Sequence, residues 1–253
     1  MYLPPTMSPS ETSKREGYLE YPTEAFEHYR RAGVEKVVCE EKHMGSRAVL
    51  VVTKNEDAVA KRFGIWDGSA GVVYTRTGRR FFEDWAMEEA LLAQTRTALN
   101  DSGLWDELTT DWVVLDAEIL PWSLKAGSLI RGQYAAVGAA AGATLPAEVA
   151  VLEAAVGRGL PLDDLLGRTR QRQEMTQGYT RAYRQYVRRV SSLAEVCVAP
   201  FHLLASEGAV YVDRDHAWHL EHLSRLANAD PTLFTATAHR HVDLNDAESC
   251  QGA

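Results

Sequence analysis

Val37-Val38-Cys39-Glu40-Glu41-Lys42-His43-Met44-Gly45-Ser46-Arg47-Ala48-Val49-Leu50-Val51-Val52 is the stretch on which the reading of this chain turns. Two short apolar runs rich in β-branched residues flank a polar centre. Both flanks read as buried strands, joined by a tight connection at Gly45. A lysine on such a turn, followed by Arg47, suits an amine that attacks a nucleotide phosphate. A charged hairpin tip is the plainer reading of the same residues, and spacing alone does not separate the two.

Outward from this stretch, the spacing predicts a helix over residues 23–32 and a strand at Gly71-Val72-Val73-Tyr74-Thr75. Trp85, Leu92 and Leu99, joined by Leu91 and Ala98, form one apolar helix stripe closed by Asn100-Asp101-Ser102-Gly103. Trp112-Val113-Val114-Leu115 opens a further strand that runs through Glu118 and stops at Pro121. From residue 123 to 192 strand signals vanish and alanine and arginine rise. Strand character returns at Val196-Cys197-Val198, Phe201-His202-Leu203-Leu204 and Ala209-Val210-Tyr211-Val212, the last two joined by a turn at Ser206-Glu207-Gly208. A helix over 215–227 and a final strand over 234–244 complete an α+β plan with a helical insertion. The expected division is a linker (1–16), a first core segment (17–122), the helical insert (123–192) and a second core segment (193–253).

With 253 residues, 45% hydrophobic and 25% charged, the composition is that of an ordinary globular protein. Residues 134–145 are the longest weakly polar run, so no membrane-spanning segment is expected, and the N-terminus lacks a signal-peptide pattern. Three scattered cysteines, Cys39, Cys197 and Cys250, argue against a disulfide framework and for a reducing cytosol. A net charge of −8 counts against a simple nucleic-acid binder. Yet Arg168, Arg170, Arg172, Arg181, Arg184, Arg188 and Arg189 crowd one segment, a local basic surface or a solvated helix face.

Three segments add to the lysine turn. Thr75-Arg76-Thr77-Gly78 puts a cation at a strand end, Asp116-Ala117-Glu118 puts acids on an apolar strand, and Pro200-Phe201-His202 opens another strand with an aromatic. In this order along the chain, they resemble the covalent nucleotidyltransferases, the superfamily of ATP-dependent ligases and mRNA-capping guanylyltransferases. Lys42-His43-Met44-Gly45-Ser46-Arg47 is similar to that superfamily's first motif, Thr75–Gly78 to its Ser-Arg-x-Gly motif and Asp116–Glu118 to its acidic third motif. The histidine after the lysine, Leu120-Pro121-Trp122-Ser123 and Ala199-Pro200-Phe201-His202-Leu203-Leu204-Ala205 resemble one branch. That branch is the ligase domain of bacterial polynucleotide kinase-phosphatase, an RNA end-healing and end-sealing enzyme.

The resemblance implies an antiparallel-sheet nucleotidyltransferase core, ATP-grasp-like, with a helical insertion. It implies that Lys42 attacks the α-phosphorus of ATP to form lysyl-AMP, and that AMP then passes to an RNA 5′-phosphate before sealing. By resemblance Glu40 faces the adenine, Arg47 and Arg76 contact the ribose, and Glu118 holds a ribose hydroxyl or a metal through water. Phe201 stacks on the base, and Mg²⁺ or Mn²⁺ offsets phosphate charge. The lysine must be neutral to attack, and partial burial beside Arg47 or a metal would favour that. Arg181, Arg184 and Arg188 are the candidates for RNA contact. The implied partners are broken RNA ends, kinase and phosphatase domains outside this sequence, and an RNA 3′-terminal methyltransferase, with no membrane.

The superfamily's later lysine-bearing motifs have no counterpart here, since the last lysine is Lys125. The expectation is therefore a ligase-domain front part that adenylates slowly, if at all, alone. Two other readings stay open: a guanylyltransferase using GTP, and a catalytically silent binding module. His216, His219 and His222 recur at spacing three and suit a packed amphipathic helix better than a helical metal pair.

Overall fold

The computed structural model describes residues 11–251, so the first ten residues of the expected linker lie outside it. The chain divides into two compact units. One comprises residues 11–43, 47–118 and 197–251, the other Met44–Ser46 and Ile119–Val196.

In the first unit, α1 (Pro22–Arg31) begins at Pro22, where a missing N–H is harmless. Arg30 and Arg31 in its last turn complement the helix dipole. The strand β1 (Lys36–Glu40) runs directly into the lysine segment. β2 (Ser46–Thr53) follows it, then α2 (Glu56–Phe63) and β3 (Gly71–Thr75). Asn55 caps α2 by accepting from the Ala58 N–H at 2.9 Å. α3 (Trp85–Asp101) buries Leu91, Leu92, Ala98 and Leu99. Trp85, expected to open that stripe, is 63% exposed, and the Arg80 guanidinium lies 3.8 Å from its ring centroid. α4 (Leu104–Glu107) leads to β4 (Trp112–Leu120), whose Val113, Leu115, Ala117 and Ile119 are almost wholly buried.

The second unit contains α5 (Ser123–Leu129), a π-helical turn at Ile130–Tyr134, α6 (Ala135–Gly157) and α7 (Asp163–Arg184). Small residues let α6 and α7 approach closely, and a Cβ on Gly138 would lie 3.1 Å from Thr180 Oγ1 and from the Tyr183 ring. Tyr134 stacks on Tyr179 with ring centroids 6.0 Å apart, and Trp122 meets both Tyr134 and Tyr186 edge-on. The expectation that no segment could span a membrane gives way here. By length and composition alone, the continuous helical run Ser123–Gly157 is long and apolar enough, because its alanines, glycines and valines extend beyond residues 134–145.

The chain then returns to the first unit through β5 (Cys197–Ser206), β6 (Ala209–Val210), α8 (His216–Ala229), β7 (His239–Asp243) and α9 (Ala247–Gln251). β5 is one strand running through Pro200, where the sequence suggests two. The final strand is likewise shorter than the 234–244 span. The larger sheet has the order β3-β2-β4-β5-β6. β1 instead pairs antiparallel with β7, Lys36 opposite Asp243 and Glu40 opposite His239. Phe26, Val242 and Leu244 form the core beneath that pair.

This topology corrects the reading of residues 37–52. β1 and β2 do not form a hairpin: they belong to different sheets, and Lys42 sits on the crossing between them. The Glu41 N–H donates to the Ala238 carbonyl at 2.8 Å, extending the β1–β7 ladder one step before the chain departs.

Gly71 has φ +150°, and a Cβ there would lie 2.4 Å from the Val51 carbonyl oxygen. Gly71→Ala should cost about 2–4 kcal/mol in urea unfolding through strain and overpacking. Gly64→Ala, at a left-handed helix cap with nothing within 4 Å, should cost about 1 kcal/mol. Equal, small losses at both positions would contradict this account of β3.

Candidate active site

The crossing from β1 to β2 opens onto a cleft of about 850 Å³, within the usual range for small-ligand pockets. Lys42, Glu40, Arg47, Glu118, Phe201, His202 and His216 all line it. Residues of α1, among them Phe26 and Tyr29, form its apolar end. Lys42 is exposed rather than partly buried, which corrects that expectation and leaves its amine accessible. No carboxylate ion-pairs with it among the described residues. His43, the next residue, points away from the amine's role: its Nε2 lies 3.0 Å from Thr237 Oγ1 and ties the crossing to the segment before β7.

Arg47 is held from below. Its Nε donates to Asp116 Oδ1 at 2.9 Å and its Nη2 to Oδ2, a bidentate pair with the Asp116 side chain wholly buried. Burial pushes the Asp116 carboxyl above its ordinary value, and the guanidinium opposes that shift. Arg47, gripped by the same carboxylate, is held still more firmly protonated. Asp116 is therefore a buried anchor. It fixes Arg47 so that its guanidinium carbon lies 5.7 Å from the centroid of the Phe201 ring. That ring is half-buried, on the cleft wall rather than in the core. Glu118, two residues along the same strand, is also half-buried and lines the cleft.

Above Glu40 stands a chain of imidazoles. His216 Nε2 pairs with Glu40 Oε1, and His216 Nδ1 lies 3.2 Å from His202 Nε2. His202 packs edge-on against His219, whose Nδ1 accepts from the Leu203 N–H at 3.2 Å. Burial, reinforced by His219, His216 and Arg47, pulls His202 down to about 4, while Glu40 acts the other way. Burial and then His216 lower His219 as well.

The three α8 histidines do not converge. His216 goes to Glu40, His219 to the β5 backbone, and His222 Nε2 to Glu107 Oε1 at 3.0 Å. Among the described residues no group of three or more His, Cys, Asp or Glu is placed to hold a metal ion.

Two sets of expected site residues lie elsewhere. Arg76 sits in the exposed turn after β3 and is not among the residues lining the cleft. Arg181 and Arg184 line a groove between α6 and α7 in the other unit, while Arg188 is exposed just beyond α7. Sequence reasoning passed over Asp116 as the anchor of Arg47, and over His202 and His216 as cleft residues. For Asp116 the signal was an acid two positions before Glu118 on an otherwise apolar strand.

The sequence matches, over residues 1–253, the family described as PNKP adenylyltransferase domain, ligase domain. The chain belongs to that family. Its fold is similar to that of chains in two solved structures. In one, titled the structure of a Pnkp1/Rnl/Hen1 complex, the TM-score is 0.60 at 16% identity, covering 96% of this chain. In another, titled the Pnkp1/Rnl/Hen1 RNA repair complex, it is 0.56 at 17% identity, covering 98%. The chain spans 64% of the length of each of those chains. No curated protein matches it. An α+β architecture with an antiparallel sheet and a helical insertion is thus the family's, as expected.

Removing the partner of a buried guanidinium should be costly. Asp116→Asn should lower stability by about 3–5 kcal/mol in chemical denaturation, and a loss below 1 kcal/mol would contradict the anchoring role. The depressed histidines set a pH window. Because His202 and His219 take up protons more readily when unfolded, stability is fully present above pH ~6.5 and falls as pH drops toward about 4. With partial exposure discounted, the loss should be on the order of 1–2 kcal/mol, and His202→Asn should flatten the slope. An unchanged slope in that variant would count against it.

Proposed function

We propose that this domain is the adenylyltransferase of an RNA-sealing enzyme, with Lys42 as its nucleophile. The observation that carries the reading is the single cleft in which an accessible lysine meets an anchored arginine, a carboxylate and an open aromatic face. In the proposed step the neutral Lys42 Nζ forms a bond to the α-phosphorus of ATP. The bond from that phosphorus to the bridging oxygen breaks, pyrophosphate leaves, and the amine gives up a proton, leaving AMP as a phosphoramidate.

Arg47, pre-set by Asp116, offers a fixed cation to the ribose or α-phosphate at no cost of reorganisation. Phe201 offers a half-open ring on which a base can stack, with Arg47 on the same ring. Glu40 accepts from the base. Arg76 reaches the nucleotide only if the turn after β3 closes over the cleft. A divalent ion fits this donor set in one form only. A hard cation held by one carboxylate, waters and nucleotide phosphates suits Mg²⁺ or Mn²⁺, with Glu118 as the protein oxygen. Such an ion would offset the phosphate charge during transfer.

The AMP acceptor is proposed to be an RNA 5′-phosphate, a reading supported by the RNA repair complex named for one structural neighbour. Arg181 and Arg184 in the α6–α7 groove, with Arg188, are the proposed phosphate contacts. The kinase, phosphatase and methyltransferase partners are proposed on the same ground.

Denaturing mass spectrometry after incubation with ATP and Mn²⁺ tests the reading. An AMP adduct, even a slow one, should form on the wild type and be absent from Lys42→Ala. No adduct on a folded wild-type chain, or an adduct that survives Lys42→Ala, would overturn it.

A further inference from the structure

Glu40 meets a partner that the nucleotidyl-transfer reading does not use. His216, the first residue of α8, reaches across to β1 and engages Glu40 Oε1 through its Nε2. Its other nitrogen, Nδ1, is engaged at 3.2 Å by His202 on β5. The ring is thereby fixed at both ends, and both histidines line the cleft beside Glu40. An imidazole held this way is a directional clamp on one carboxylate oxygen. The second oxygen of Glu40 remains to accept from a ligand.

The clamp is built from fold elements rather than from a mobile chain. Asp215 caps α8, accepting from the Trp218 N–H at 2.8 Å, and so fixes where the helix begins. His219, one turn further, is buried and hydrogen-bonded to the β5 backbone, which sets the rotation of the helix. His202 is half-buried between His216 and His219, with ring centroids 4.8 Å from each. Nothing in the lysine chemistry requires this stack. Its effect is to give the Glu40 carboxylate one orientation at the cleft wall.

We infer that His216 is a positioning residue for nucleobase selection, clamping Glu40 so that the cleft prefers a 6-aminopurine over a 6-oxopurine. The inference rests on the proposal that Glu40 faces the base. A fixed carboxylate accepts from an exocyclic amine, whereas the oxygen of a 6-oxopurine at the same place would set two acceptors against each other. A buried polar group left unpaired is what makes such discrimination large. A carboxylate free to rotate would turn away from the wrong base and lose that discrimination.

The test is calorimetric binding of ATP, GTP and ITP to the full chain in a Lys42→Ala background, which prevents covalent trapping. The parent should prefer ATP over both oxopurine nucleotides by roughly ten- to a hundredfold. His216→Ala should lose most of that preference. His216→Gln, whose amide can still donate to Glu40 Oε1, should restore most of it. Glu40→Gln should lose it too, and the Glu40→Gln/His216→Ala double variant should lose no more than either single. A simple loss of fold would instead weaken all three nucleotides together and lower the melting temperature. An unchanged ATP-to-GTP ratio in folded His216→Ala, or a parent with no preference, would overturn the role of His216 while leaving the transferase reading standing. Binding of none of the three nucleotides by the parent would overturn both.

Discussion

Arg47 takes its charge into the sheet, and it can do so because Asp116 meets it with both carboxylate oxygens from the neighbouring strand. A buried ion pair of this kind adds little net stability, since desolvation offsets most of the attraction. What it supplies is position. β2 and β4 are adjacent in the sheet, and the pair fixes one guanidinium relative to Phe201 and to the start of β2. Everything upstream on the crossing, including Lys42, is then presented from a rigid edge.

The two-sheet arrangement explains why a cleft exists at that edge. Had β1 and β2 formed a hairpin, Lys42 would stand on a solvated tip with no wall around it. Instead β1 leaves to pair with β7, and the five residues from 41 to 45 bridge the gap between ladders. Residues of α1, β4, β5 and α8 line the cleft there, His216 of α8 engaging Glu40. A lysine can be exposed and still enclosed by recognition groups in such a place.

Much of this was legible in the sequence, and the failures have definite causes. The β-branched runs, the α3 stripe from Leu91 to Leu99 and the turn at Ser206-Glu207-Gly208 carry strong local signals. Lys42, Arg47, Glu118 and Phe201 came together because family motifs mark them, not because spacing alone could bring strands so far apart in sequence into one sheet. Partner choice was the hidden variable. No local pattern says that residues 36–40 pair with residues 239–243 rather than with their neighbours after the turn. The Arg47–Asp116 pair and the Glu40–His216–His202 chain are equally non-local. Trp85 failed for another reason: its spacing fits the stripe, but Arg80 takes its face at the surface.

The account stands or falls on whether the cleft beside Lys42 holds the nucleotide. A crystal structure with a non-cleavable ATP analogue and Mg²⁺ is the direct measurement. It should place the α-phosphorus about 3–3.5 Å from Lys42 Nζ, the separation of a near-attack geometry, with the base against Phe201 and its edge toward Glu40. An analogue seated away from Lys42, or one that displaces Arg47 from Asp116, would contradict it.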